Sequence, residues 1–304
     1  MLNSPFLINP DCSKILNKAR ENGNIITSNT RIDGFGEQYK LILFTILFAE
    51  YHNLKFVFSP VQSNEHNYTN SPTYLKEIDN NMGIKDLFEE NTSIIQDKDE
   101  GRISDFCYAN LNTLVKLPIM DKIKINFKKN KKYEDYFDNK YYNIAIHIRR
   151  GNVQDCSFEP INQRFIPNKL LKLQIDLYPD DFYIKLIKNI INSNKDRKIK
   201  IHIYSQDLNK TNYEAFDNYI EYHLNEDINK TFNSMVFADT LFMGPSTFSY
   251  LAGFFRERCT IFLEYYHLAI PGWTCILPNM QMLYVSEENW YKFRDSKYFI
   301  PGYK

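Results

Sequence analysis

Residues 142 to 152 read YNIAIHIRRGN. Ile144, Ile146 and Ile148 alternate with Asn143, Ala145 and His147, a period of two that predicts a strand over Tyr142–Ile148. The apolar run stops abruptly at Arg149-Arg150-Gly151. Working downstream, the pattern predicts a helix over Asp180–Ser193, with two acids at its start where the helix dipole favours them. A strand follows at Lys198–Ser205, then a short one at Ile220–Leu224. Next come a helix at Asp227–Phe237, a strand at Thr240–Gly244, a helix at Ser246–Arg256 and a strand at Thr260–Tyr265. Strands alternating with helices imply a parallel sheet with right-handed crossovers. Such sheets bind ligands outside the carboxyl ends of their strands. The connection from Gly151 to Asp180 is longer than usual for such a unit, which points to a functional loop.

Upstream, Asn24–Arg31 has the β-branched content of a strand. Ile32-Asp33-Gly34-Phe35-Gly36 makes a turn, Glu37–Tyr51 a buried helix and Leu54–Phe58 a strand ended by Pro60. This is a βαβ unit. Val61–Lys140 is polar and Asn-rich, with helices expected at Tyr74–Glu90 and around Ile103–Val115. The chain therefore divides into an N-terminal α/β domain over residues 1–138 and a C-terminal Rossmann-like domain over 139–304.

Composition narrows the function. The 304 residues carry 37 Lys+Arg against 37 Asp+Glu, a formal net charge of zero. A nonspecific nucleic-acid binder needs a basic excess to displace counterions, so no nucleic-acid partner is expected. The basic run Lys122–Lys132 reads as a solvated surface loop. Five cysteines, Cys12, Cys107, Cys156, Cys259 and Cys275, are widely spaced without a CxxC, which disfavours a disulfide framework or a zinc site. Reduced thiols fit a cytoplasmic location. The opening residues lack a signal-peptide pattern. The run Leu41–Ala49 is too short to span a bilayer, so no transmembrane segment is expected.

Several groups could do chemistry at predicted strand exits. His147 and Arg149 share one face of their strand, with Arg150 at the exit. Two guanidiniums there could clamp phosphate oxygens. The competing reading is a salt-bridged pair beside a core histidine. Gly244-Pro245-Ser246-Thr247-Phe248-Ser249 ends a strand and opens a helix, with Ser246 as N-cap. Free N–H groups at that end attract phosphate, or Ser246 simply caps its helix. Gly34-Phe35-Gly36-Glu37-Gln38 could let backbone approach a diphosphate, although the turn does not complete a G-x-G-x-x-G fingerprint. Ser205 and Asp207 follow a strand and could touch a ribose or base. Asp227 and Asp239 bracket a helix. His202 and His223 read as packing residues. Trp273 is expected to be exposed and able to stack on a sugar or base. No Asp-x-Asp pair sits at a strand exit to bridge a metal and a diphosphate.

In order and spacing, three blocks resemble the fucosyltransferases that form α1,2, α1,6 and protein O-linked fucose. Gly34-Phe35-Gly36-Glu37-Gln38 is similar to the family's early G-[FY]-G-x-Q turn. His147 to Asn152 is similar to its H-x-R-R-[GT]-[DN] block. Phe232 to Ser249 is similar to its late segment ending in S-S-F-S. The resemblance implies a GT-B-like fold, two Rossmann-like α/β domains facing a central cleft. It also implies GDP-fucose as donor, a carbohydrate acceptor, inversion at the anomeric carbon, no cofactor and no metal. Carried over, Arg149 meets the β-phosphate, Arg150 supports donor or acceptor binding, and Asn152 belongs to the donor site. His147 lies near the nucleotide, Ser246, Thr247 and Phe248 complete its pocket, and Gly34, Phe35, Gly36 and Gln38 approach from the first domain. Asn152 stands where the block commonly has aspartate, and Thr247 replaces a serine. At the spacing of the family's catalytic carboxylate stands Ser157, flanked by Asp155 and Glu159, the two candidates for general base. Two alternatives remain: a GT-B enzyme using another nucleotide sugar, and an inactive nucleotide- or carbohydrate-binding protein.

Overall fold

The computed structural model describes residues 10–28, 34–61, 72–90, 100–150, 158–161, 164–167, 178–206, 208–263, 265, 267–277 and 279–294. The chain forms two compact units, one spanning Lys132–Ser286 and the other combining the residues before Lys132 with those from Glu287 on. The first boundary lies between Lys131 and Lys132, seven residues before the division expected after residue 138. The return of the C-terminal segment to the first unit does not show in the sequence.

The first unit is built around a helix. Its elements are α1 (Ser13–Glu21), β1 (Ile25–Ile26), α2 (Phe35–Tyr51), β2 (Lys55–Phe56), α3 (Pro72–Met82), α4 (Glu100–Ala109), α5 (Leu111–Leu114) and α6 (Pro118–Lys128). Strands β1 and β2 pair in parallel, joined by α2 as the βαβ reading requires. Helix α2 is apolar on every side and buried along nearly its whole length, the pattern of a central core helix. The basic run read as a loop lies largely in α6. Pro118 opens that helix, and Ile119, Met120, Ile123 and Phe127 turn inward, leaving the lysines outward at helical spacing. The expected helix from Ile103 to Val115 breaks at Asn110 into α4 and α5.

The second unit contains β3 (Tyr142–His147), β4 (Phe158–Ile161), β5 (Arg164–Pro167), α7 (Asp180–Ser193), β6 (Ile199–Ser205), β7 (Ile220–Leu224), α8 (Ile228–Phe237), β8 (Thr240–Met243), α9 (Thr247–Phe254), β9 (Cys259–Leu263), β10 (Thr274–Ile276) and β11 (Met282–Tyr284). The last helix, α10 (Glu287–Arg294), belongs to the first unit. There Trp290 is fully buried and Glu287 pairs with Lys116.

Among the described residues, seven strands form one sheet in the order β7-β6-β3-β8-β9-β10-β11. Every pairing is parallel except β10 with β11. One face carries Ile144, Ile146, Ile148, Ile201, Ile203 and Phe242, packed with Phe182, Tyr183, Leu186, Ile187 and Ile190 of α7. The other carries Asn143, Ala145, His147, His202 and Tyr204. Helix α9 meets it through a His147–Ser249 bond, and Ser234 of α8 through Tyr204. Helices thus cover both faces. The chain runs outward from β3 to β6 and β7, then crosses back to β8. The strand order reverses between β3 and β8, and this is the crevice where doubly wound sheets take ligands.

Trp273 is not exposed. It is 5% accessible and lies against Gly253, where an added Cβ would come within 2.7 Å of its ring. Phe262 stacks on it, so the indole is core and offers no face to a sugar.

Candidate functional site

The exits of β3 and β8 touch. A Cβ built on Gly244 would lie 2.4 Å from the carbonyl oxygen of His147. No side chain fits there, so glycine is what allows the two exits to meet. The chain then turns at Pro245 and enters α9. Ser246 is the N-cap, its hydroxyl accepting from the Phe248 N–H at 3.3 Å. Tyr265 holds the same corner by donating to the Ser246 carbonyl at 3.0 Å. On the other side of β3, the Ser205 hydroxyl donates to the Ile148 carbonyl at 2.7 Å. The Ile148 N–H donates to the Tyr204 carbonyl at 3.0 Å. Three strand ends are thereby fixed around Arg149.

His147 links strand to helix. Its Nδ1 lies 2.9 Å from the Ser249 hydroxyl. That hydroxyl donates to the carbonyls of Gly244 and Ser246, at 3.2 and 3.3 Å. With its one hydrogen so used, Ser249 accepts from Nδ1–H, which leaves a lone pair on Nε2. Burial, reinforced by the nearby Arg149 charge, lowers the His147 pKa to about 3. The ring is therefore neutral at physiological pH. Phe248 lies edge-on to it, centroids 5.9 Å apart. A neutral imidazole, a guanidinium and the start of α9 thus stand together at the topological switch point. Donors and positive potential dominate, which is the electrostatics of a site for an anion.

The two arginines part company. Arg149, by alternation, shares the His147 face. Arg150 turns to α7. Its guanidinium donates to Asp180 at 2.5 Å and to the Tyr178 carbonyl at 3.1 Å. Asp180 also accepts from Tyr213 at 2.8 Å and Asn212 at 2.5 Å. Burial works against the Asp180 charge, but Arg150 and these donors prevail and hold its pKa below the ordinary carboxylate value. Arg150 is therefore the anchor between the β3 exit and the start of α7, rather than the second half of a clamp on the His147 face.

The remaining candidates have identifiable partners or places. Thr247 shares a 3.0 Å hydrogen bond with Nε2 of His267, and Phe248 contacts Phe232 besides His147. Asp227 is the N-cap of α8, accepting from the Lys230 N–H at 2.9 Å. Gly34 is the N-cap of α2 and contributes no side-chain cap. Phe35, Gly36 and Gln38 are buried in the first turn of that helix, in the first unit. Asn152, Asp155 and Asp207 lie outside the described residues, as does the side chain of Glu159 on β4.

Part of this fold is similar to POFUT1. The apo form of POFUT1 shares 15% identity at a TM-score of 0.30, over 70% of this chain and 65% of that one. The complex of POFUT1 with GDP-fucose gives 15% and 0.29, over 69% and 62%. The complex with GDP gives 13% and 0.29, over 81% and 73%. This chain thus spans somewhat less than two thirds of the first two. No protein-family model matches it, and no curated protein does.

Residue patterns place Ser249 among the hydroxyls at the start of α9, but only the turn of that helix aims it at His147. Asp180 reads as a first-turn acid, and its bond to Arg150 joins residues thirty positions apart. Arg256 has no signal at all. Buried to 5% exposure, it donates to the carbonyls of Met235, Val236, Ala238 and Cys259 and so ties α8 to β9.

Proposed function

We propose that this protein is an inverting glycosyltransferase that transfers fucose from GDP-fucose to a glycan hydroxyl. The reading rests on one observation: the β3 and β8 exits meet through Gly244 and His147 at the switch point, so Arg149 and the start of α9 flank one place. A nucleoside diphosphate suits that place. As the glycosidic bond breaks, charge develops on the β-phosphate. The Arg149 guanidinium and the N–H groups opening α9 stabilise that charge without a metal in the step. The resemblance of the three sequence blocks supports fucose as the transferred sugar and guanosine as the base. An acceptor hydroxyl attacks the anomeric carbon from the opposite face, its proton passing to a carboxylate. Asp155 and Glu159 are the proposed bases. His147, neutral and held by Ser249, offers Nε2 as an acceptor toward the nucleotide.

The test is calorimetric. The parent protein should bind GDP, and Arg149→Ala should weaken it about a hundredfold or more, as expected for losing two charge-assisted bonds. Arg149→Lys should recover part of the loss, because lysine keeps the charge without the fork. Binding unchanged in Arg149→Ala sinks the assignment. Turnover across a panel of nucleotide sugars then tests the donor; hydrolysis of another sugar nucleotide in preference to GDP-fucose would transfer the reading to that donor.

A further inference from the structure

A second polar cluster lies away from the strand exits, on the same face of the sheet, where β6 and β7 form its edge. In parallel register His202 of β6 stands opposite Glu221 of β7. His223 lies two residues on, facing the same way. His202 Nδ1 and His223 Nε2 are 3.0 Å apart. Glu221 oxygens lie 3.9 Å from the first nitrogen and 3.6 Å from the second.

The outer nitrogens of both rings are spoken for. Asn143 Nδ2 donates to Tyr133 Oη at 2.8 Å and faces the carbonyls of Asp138 and Tyr141 at 3.0 Å. Tyr133 gives its own hydrogen to Asp239 at 2.8 Å. The Asn143 amide is therefore oriented with Oδ1 toward His202, and Nε2–H of His202 donates to it at 2.9 Å. The Nδ1–H of His223 donates to Glu226 Oε1 at 3.0 Å. Lys230 Nζ lies 3.3 Å from the other Glu226 oxygen. The Glu226 carboxylate can only accept.

With the outer nitrogens so engaged, His202 Nδ1 and His223 Nε2 are left facing one another across 3.0 Å. That arrangement repels unless a cation sits between them. Both rings also have the outer-shell partners that metal-bound histidines use, one an amide oxygen and the other a carboxylate. A tetrahedral zinc with bonds of about 2.0–2.1 Å separates its ligand atoms by about 3.3–3.4 Å. The observed triangle brackets that spacing.

We propose that His202, His223 and Glu221 bind a zinc ion, with water completing the coordination. Imidazole and carboxylate oxygen suit zinc better than magnesium or calcium, which demand all-oxygen shells. The ion would fasten the edge strand β7 to β6. Glu221 is half exposed, so the ion can enter from solvent. Sequence reading treats the two histidines as packing. His202 does pack, edge-on to Phe137, but only one of its faces is apolar.

The experiment uses tag-free full-length protein, stripped with chelator and dialysed against zinc chloride or magnesium chloride. Elemental analysis should find one zinc per chain, a raised thermal midpoint with zinc, and neither effect with magnesium. Cobalt should give the visible bands of a four-coordinate ion. Glu221→Gln, exposed and structurally mild, should weaken zinc binding at least about tenfold, and Glu226→Gln about 10–100-fold. If parent protein takes up no zinc, the cation between the rings is a shared proton and the proposal is wrong. Zinc bound equally well by parent and Glu221→Gln and His223→Gln variants places the ion elsewhere and also overturns it.

Discussion

One face of one sheet carries two polar clusters, each with a buried histidine, and they are built with opposite sign. At the β3 exit His147 is held by a serine hydroxyl beside Arg149 and a helix start. At the β6–β7 edge His202 and His223 are held by an amide oxygen and a carboxylate beside Glu221. The first surrounds its histidine with donors and suits an anion. The second surrounds its histidines with acceptors and suits a cation. Residue type alone says neither. The difference teaches that a histidine's role follows from which of its nitrogens is already bonded and by what.

The comparison can be broken or sharpened experimentally, and the largest effect should appear in acid. The His147 pKa falls from 6.5 to about 3 on folding. The unfolded chain therefore binds more protons over that range. The associated stability is fully present above pH 6.5 and is lost as pH falls toward 3, roughly 5 kcal/mol in all. His147→Gln should flatten the acid limb of a denaturant-unfolding profile by an amount of that order. A variant as acid-labile as its parent would show that another group is responsible.

Next comes Arg149→Ala, expected to weaken GDP binding about a hundredfold or more while leaving zinc uptake at one ion per chain. Loss of both would mean that the two clusters are not independent. Arg150→Ala sharpens the contrast between neighbours. It leaves Asp180 half-buried without its cation, and should cost about 2–3 kcal/mol of stability in urea. If it instead abolished GDP binding at unchanged stability, Arg150 would be the binding residue.

Gly244→Ala should cost about 1–3 kcal/mol, because the methyl group would overlap the His147 carbonyl and push the β3 and β8 exits apart. GDP affinity should fall with it. Ser249→Ala should have the smallest effect, about 1 kcal/mol, with a measurable change in the His147 imidazole nitrogen resonances.

Much of the second unit was legible from residue order. Period-two alternation marks β3 and β6, and hydroxyl residues after Gly244 mark the start of α9. Those signals are local, arising from strand geometry and cap chemistry that need no tertiary contact. The basic run at Lys122–Lys132 was not legible. Its lysines are so dense that they hide the inward spacing of Ile123 and Phe127 in α6. Trp273 was misread because an aromatic beside Pro-Gly resembles a surface loop, whereas Gly253 makes room for it in the core.

The division at the strand exits shows the same boundary. Strands, helices and the kinds of side chain at each exit follow from residue order, because periodicity and capping act within a few residues. Packing alone separates Arg149 from Arg150, presses Gly244 on His147 and brings His202 to His223. Those contacts join residues 21 and 97 positions apart, or, for the arginines, depend on which helix packs on which face of the sheet. No local preference encodes either.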